Sequence, residues 1–235
     1  MKNSFLFFLL AFMILLSVQP AFSQDNICEN GYMPFREGIS FELTNYDKKG
    51  KETSTARHKV TKLEKTDDGF KASVEMTVKD QKGKTTVSNN YFMECRDEVL
   101  TVDMSSMLDP RSMESMSSME MEMTGDALQF PRTLTPGQTL PDGTMTLKAK
   151  TSGIVFMSII MEVKNRQVGD QESITTPAGT FDCIKISQDT EIRSLIKNTY
   201  RSTTWYAIGI GMVKSENYDK KGNLESSTVL TKLER

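Results

Sequence analysis

Seven methionines stand close together in the middle of the chain, and their thioethers are the side chains most suited to specific chemistry. Met113, Met116 and Met119 are spaced three residues apart, and spaced thioethers are soft ligands that can hold Cu(I). Soft-metal sites normally recruit histidine or cysteine as well, and neither lies nearby. The pattern therefore favours flexible packing against a sheet or a lipophilic ligand, with Cu(I) binding as the alternative. The full set is Met104, Met107, Met113, Met116, Met119, Met121 and Met123.

A lipophilic pocket is the second hypothesis for a functional site. A bent antiparallel sheet can enclose an apolar ligand on its inner face, and an ordinary filled core is the alternative. The apolar runs 155–161 and 195–196 would supply the lining together with the methionine-rich segment. The candidate pocket residues are Met113, Met116, Met119, Met121, Met123, Phe156, Ile159 and Trp205.

Residues for acid–base or nucleophilic catalysis are scarce. His58 is the only histidine, and its neighbours Arg57 and Lys59 predict a solvated position on the surface. No G-x-S-x-G, H-E-x-x-H or C-x-x-C motif and no phosphate-binding glycine loop is present. We therefore expect a protein that is not an enzyme, with no cofactor and no metal site.

The charge balance excludes some partners. Lysine plus arginine total 29 against 31 acidic residues, giving a net charge of −2, and both signs are evenly scattered. No basic stripe is available to neutralise phosphates. We expect no nucleic-acid partner.

The first 23 residues predict where the protein works. Lys2 precedes an unbroken apolar run, Phe5–Val18, which is followed by Pro20 and a small-residue cleavage pattern ending at Ser23. These features are typical of a secretory signal peptide, and no second run of that length follows that could span a membrane. We expect residues 24–235 to form one β-rich domain, soluble in the periplasm or outside the cell. The residues before Cys28 do not fit a lipoprotein signal.

Apolar and polar residues alternate with a period of two over most of the mature chain. Examples are the segments 39–44, 70–79, 119–123 and 145–149, and each predicts a half-buried strand. Glycine-containing turns separate the runs, as antiparallel hairpins require. The fold class predicted is mainly β, a single antiparallel and strongly curved sheet of half-barrel or barrel-like form. One short helical or loop insertion, rich in methionine, interrupts it after Val102.

Two features tie distant parts of the chain together. The chain has three cysteines, and an oxidising compartment favours one disulfide. We pair Cys28 with Cys95, which closes a strand, and leave Cys183 as a small buried hydrophobe.

The hexapeptide NYDKKG occurs at 45–50 and again at 217–222. It predicts two equivalent hairpins, either as repeated use of one turn solution or through an ancestral duplication.

Two C-terminal motifs and the start of the mature chain carry a family resemblance. They are TPAGTFDCIKI at 176–186, TWYAIGIGMVK at 204–214, and Cys28 with the segment 32–35 and Gly38. This pattern resembles exported bacterial β-rich proteins of unknown function called TapB-like. The resemblance implies a periplasmic or surface protein with a wrapped half-barrel like those of lipoprotein carriers. It transfers no catalytic or binding residue.

The sequence thus predicts an exported, non-enzymatic envelope protein that binds a lipophilic small molecule or another envelope component. A structural or adhesion-related surface module without a ligand pocket is the alternative, followed by Cu(I) binding through methionine.

Overall fold

The computed structural model describes residues 28, 30–102 and 119–235, which form β-strands and turns and no α-helix. Thirteen antiparallel strands make one sheet. The first seven are β1 Ser40–Asp47, β2 Glu52–Thr66, β3 Gly69–Asp80, β4 Thr85–Arg96, β5 Val99–Val102, β6 Glu120–Gly125 and β7 Leu128–Pro131. The others are β8 Gly143–Thr151, β9 Ile154–Thr176, β10 Gly179–Arg193, β11 Lys197–Ala207, β12 Gly211–Tyr218 and β13 Leu224–Glu234.

The strand order is β6-β8-β9-β10-β11-β12-β13-β1-β2-β3-β4-β5-β7. Within the described residues no ladder joins β6 to β7, so the sheet is open. Its two wings nevertheless share one core, because Val74 of β3 and Val163 of β9 belong to the same buried cluster. A sheet can bring distant strands together in this way only if it curls. The predicted fold class, a curved antiparallel sheet, is confirmed, while the predicted helical or loop insertion lies outside the described residues.

The two ends of the sheet are linked by one short stretch of chain. β6 pairs with β8 at one end and β7 pairs with β5 at the other, and only two residues separate them. Gly125 lies at this change of partner with a φ of 139°. A Cβ atom there would lie 2.1 Å from the Thr144 carbonyl oxygen, so only glycine fits.

The repeated turn occurs three times. Asp47, Asp80 and Asp219 each accept backbone N–H bonds from the residues two and four positions later. A glycine three positions after each aspartate takes a positive φ. The two predicted hairpins are adjacent in the sheet, since β13 pairs with β1. The third copy, at Asp80, lies outside the repeated hexapeptide. This favours repeated use of one type of turn over an ancestral duplication of the hairpins.

The core confirms the predicted disulfide. Cys28 is bonded to Cys95 on β4, and both are buried beside Phe35 and Leu100. Cys183 is free and buried, as expected. Its burial raises the pKa of the thiol to about 11, so it stays a neutral thiol at ordinary pH.

A bulge in β9 buries an arginine. Met161 and Val163 face the core at odd positions, whereas Arg166 and Val168 face it at even ones. Asn165 separates the two sets with a φ of 55°, a conformation asparagine tolerates better than most residues. One extra residue at a bulge reverses which face each later side chain takes. Arg166 is 0% exposed as a result.

Arg166 joins the two wings of the sheet. Its Nη1 donates to the carbonyl oxygens of Gln129 at 3.0 Å and Pro141 at 2.8 Å. The guanidinium carbon lies 4.8 Å from the centre of the Phe130 ring. Gln129 and Phe130 belong to β7, at the far end of the sheet from β9 in strand order. Arg166 therefore holds the curl of the sheet in place.

No helix of the described part is long and apolar enough to cross a bilayer.

Candidate functional site

A cavity of about 330 Å³ lies on the concave side of the sheet. Its lining comes from strands of both wings and from the segment before β1, so the curl of the sheet creates it. This volume is at the lower end of the range typical of small-molecule sites.

One wall of the cavity is apolar. Phe130 and Tyr206 touch across it, with ring centres 5.4 Å apart, and Arg166 supports the Phe130 ring. The apolar lining residues are Met33, Pro34, Phe41, Leu43, Met93, Val102, Leu128, Phe130 and Met212.

The side of the cavity that β10 to β13 contribute carries mostly hydroxyl and amide groups, with Met212 as an apolar member. On β11 the lining residues are Tyr200, Ser202, Thr204 and Tyr206, which alternate along the strand as one face of a sheet must. Thr204 and Ser215 share a buried hydrogen bond of 2.9 Å. The other polar residues of this wall are Gln188, Thr190, Asn217 and Thr228.

No aspartate, glutamate, lysine or arginine lines the described cavity. Its titratable residues are tyrosines and His58. Burial raises the pKa of Tyr91, Tyr200 and Tyr206, which keeps these phenols neutral. The cavity is therefore uncharged at neutral pH, with both apolar surface and hydrogen-bonding groups.

His58 is buried in this cavity, with 9% of its surface exposed. The prediction of a solvated surface histidine is wrong, because β2 turns this side chain inward while Arg57 points outward. The imidazole stacks on Phe41 with ring centres 4.8 Å apart. Its Nδ1 lies 3.1 Å from the Tyr91 hydroxyl. Burial lowers the pKa of His58 to about 4.

The buried His58 predicts a specific dependence of stability on pH. The imidazole binds a proton below its ordinary pKa of 6.5 when the chain is unfolded, and only below about 4 when it is folded. Folding stability is therefore fully present above pH 6.5 and is lost as the pH falls towards 4. Because of His58, we expect the free energy of unfolding to be about 2 kcal/mol lower at pH 5 than at pH 8. Urea unfolding at both pH values measures it.

The matched control is His58→Gln, which keeps a polar group near Tyr91 and cannot titrate in this range. Carboxylates and surface groups titrate equally in both proteins, so the difference between them isolates His58. Parallel pH profiles for the wild type and His58→Gln would contradict the prediction.

The structure disperses the predicted pocket residues. Met119, Met121 and Ile159 pack against the buried Leu147 and Ala149, which fits the packing interpretation of the methionines. Met123 is 39% exposed and lines a separate cleft between the two ends of the sheet. Met113 and Met116 lie outside the described residues. None of the described predicted residues lines the concave cavity.

Trp205 and Phe156 lie in different surroundings again. Trp205 falls between the inward-facing Thr204 and Tyr206, and packs with Cys183 and Val213 in a second buried cluster. Its indole N–H donates to Glu172 at 3.1 Å. Phe156 is 75% exposed near the start of β9.

Sequence reasoning missed the residues that line the cavity because their signal looks ordinary. The inward residues of β11 alternate strictly, but many are polar, and an alternating polar face normally indicates solvent. The usable signal was the row of aromatic and hydroxyl residues Tyr200, Ser202, Thr204 and Tyr206, which puts side chains suited to a polar cavity on one face of β11.

Comparisons with known proteins agree with the fold. The pattern of the DUF3108-like family matches residues 36–230. No curated protein matches the chain.

Two solved structures share the architecture. One is a protein of Bacteroides fragilis that is inferred to be exported and has a YmcC-like fold. It is 26% identical with a TM-score of 0.74, and the match covers 88% of this chain and 100% of that one. The other is an inferred lipoprotein of Parabacteroides distasonis, 25% identical with a TM-score of 0.74, covering 87% of this chain and 99% of that one.

Proposed function

Because the chain belongs to the DUF3108-like family and resembles a solved protein inferred to be exported, we propose that it is an exported, non-enzymatic binding protein. Its ligand is an uncharged lipophilic small molecule with a few hydrogen-bonding groups, held in the concave cavity. The protein works in the periplasm or outside the cell. The narrower TapB-like assignment stays a prediction, supported by the two C-terminal motifs and by the start of the mature chain.

The observation that carries the proposal is a cavity of about 330 Å³ whose described lining residues include no ionised side chain. A charged ligand would lose its hydration there without gaining a counter-ion, which is costly. An apolar ligand gains from burial against Phe41, Met93 and Phe130, while Ser202 and Asn217 can satisfy its polar atoms. A buried polar group is tolerated only when it finds such partners.

The same lining supports a binding role rather than catalysis. Acid–base chemistry needs a group whose pKa lies near the working pH. Among the described lining residues, His58 has a pKa lowered to about 4 and Tyr91 has a raised one. Neither exchanges protons readily at neutral pH.

The test uses an uncharged fluorescent probe, N-phenyl-1-naphthylamine, and its anionic counterpart anilinonaphthalene sulfonate. We expect saturable binding of the uncharged probe and at least about tenfold weaker binding of the anionic one, because burying an unpaired charge is costly. Native mass spectrometry of protein purified from producing cells checks for a ligand carried from the cell.

Two substitutions of neighbouring residues provide matched variants. Ser202→Phe places a ring in the cavity, whereas Thr203→Phe places the same ring on the other face of β11. We expect Ser202→Phe to weaken probe binding at least about tenfold, which corresponds to 1.4 kcal/mol, and Thr203→Phe to change it less than twofold. Equal effects of the two variants, or no saturable binding by the wild type, would favour a structural surface module instead.

A further inference from the structure

Three uncharged polar side chains form a row across the inner face of neighbouring strands. Gln188 of β10 pairs in register with Ser202 of β11, and Ser202 pairs in turn with Asn217 of β12. All three residues line the concave cavity. Neighbouring strands lie about 4.8 Å apart, so the row spans about 10 Å. We name these three residues the polar row.

The polar row has hydrogen-bonding groups without protein partners. Ser202 is only 5% exposed, yet its hydroxyl bonds to no other residue that the structure describes, and the side-chain amide of Gln188 is equally unbonded. Asn217 donates from Nδ2 to the Ser226 hydroxyl at 3.1 Å, which leaves its Oδ1 available as an acceptor. Leaving a buried polar group without a partner is costly, so the polar row indicates that a hydrogen-bonding group of a ligand belongs here.

The next level of the same face is already bonded within the protein. Thr204 and Ser215, two residues further along their strands, share a hydrogen bond of 2.9 Å. Thr228 of β13 donates to the Asn45 side chain at 2.7 Å. The capacity to bond a ligand is therefore greater at the polar row than at this level.

The cavity has an apolar end beyond that level. A Cβ atom at Gly211 would lie 3.3 Å from the Pro34 Cδ atom, so the segment before β1 packs against the start of β12. Tyr206 pairs with Met212 beside this contact. Because Tyr206 is four residues from Ser202 along β11, the polar row and this apolar end are about 14 Å apart. A ligand that fills the cavity meets hydrogen-bonding groups at one end and apolar side chains at the other.

We propose that the polar row binds the uncharged head group of a single-chain amphiphile whose chain runs towards Pro34 and Met212. This inference names the ligand class of the proposed binding function and rests on that function. A hydroxyl and a primary amide can each donate and accept, and the Asn217 carbonyl can accept. The head group therefore carries both donors and acceptors, as the glycerol of a monoacylglycerol does. A phosphate or carboxylate head would find no counter-charge among the described lining residues.

Displacement of bound N-phenyl-1-naphthylamine measures the contribution of the head group. The three competitors are monodecanoylglycerol, methyl decanoate and decanoate, which share one acyl chain and differ in the head. We expect monodecanoylglycerol, below its critical micelle concentration, to displace the probe at a concentration at least about tenfold lower than either of the others. Methyl decanoate lacks the hydroxyl groups that the polar row can bond, and decanoate carries a charge.

Two double variants on the same pair of strands are matched. Gln188→Leu/Ser202→Ala removes two members of the polar row, whereas Ser187→Ala/Thr203→Ala removes a bonded pair of hydroxyls from the outer face. We expect the first variant to reduce the preference for monodecanoylglycerol over methyl decanoate to less than about threefold, with probe affinity within about twofold of the wild type. The second variant should keep the full preference. Retained probe binding shows that the cavity is intact in both.

A bromine at the end of the acyl chain tests the orientation of the ligand. In crystals of the complex we expect its anomalous signal beside Pro34 or Met212, and a signal beside Gln188 overturns the proposal. Saturable probe binding without a preference for monodecanoylglycerol, or with the same preference in Gln188→Leu/Ser202→Ala, also overturns the head-group site but leaves the proposed binding function standing. The absence of saturable probe binding overturns both.

Discussion

Replacing Arg166 by alanine is expected to lower the free energy of unfolding by about 3–5 kcal/mol. Two charge-assisted hydrogen bonds to Gln129 and Pro141 disappear, each worth about 1.5–3 kcal/mol. The carbonyl oxygens are left buried, and the Phe130 ring loses its support. Equilibrium unfolding in guanidinium chloride measures the loss.

Two further variants separate the causes. Arg166→Met restores most of the volume without the hydrogen bonds, and we expect it to recover about half of the loss, since two buried carbonyl oxygens still lack a donor. Arg201→Ala removes an exposed arginine paired with Asp189 and should cost less than about 1 kcal/mol. Arg166→Met as stable as the wild type would show that packing alone, and not hydrogen bonding across the wings, matters at this position.

Loss of the disulfide is the second large effect. The variant Cys28→Ala/Cys95→Ala frees a loop with a sequence separation of 67 residues. In the chain-entropy model this costs about 4 kcal/mol, because the unfolded chain regains the freedom that the bond had removed. We expect the melting temperature to fall by about 10 °C for a chain of this size, measured by circular dichroism.

Cys183→Ala is the matched control for this experiment. It removes a buried thiol that forms no disulfide, so only packing and a weak hydrogen bond to the Phe181 carbonyl oxygen are lost, and we expect a cost of about 1 kcal/mol. A disulfide variant no less stable than Cys183→Ala would contradict the entropic explanation and imply that the segment around Cys28 contributes little to folding.

The alternation of apolar and polar residues predicted the strands well, because a half-buried strand in an antiparallel sheet leaves this pattern directly in the sequence. The predicted strand at 119–123 corresponds to β6, and the one at 145–149 lies within β8. The partner of Cys28 could also be predicted, since strand ends and chain termini restrict the choices for the bond.

The burial of Arg166 could not be predicted from this pattern. Before the bulge, alternation from Met161 and Val163 places position 166 on the solvent side, where an arginine is expected. The reversal depends on Asn165 adopting a positive φ, and nothing in the local sequence requires it. A single residue in an unusual conformation therefore changes which side chains the core contains.

The site was hidden for a different reason. A strand face rich in serine, threonine and tyrosine has the same composition whether it meets bulk water or lines a cavity. Only the curl of the whole sheet decides between these, and that curl is a property of thirteen strands together. His58 shows this, because its charged neighbours in sequence point away from the cavity that it lines.

The position of β1 has a consequence for the order of assembly. It lies mid-sheet between β2 and β13, and Ser40 pairs with Glu234, 194 residues further along. A growing polypeptide can fold its hairpins early, but β1 and β12 gain the strand between them only when β13 has emerged. Until then β1 and β12 each present an unpaired edge, and such edges invite aggregation. Protection by a chaperone is therefore needed most during the interval before the thirteenth strand appears.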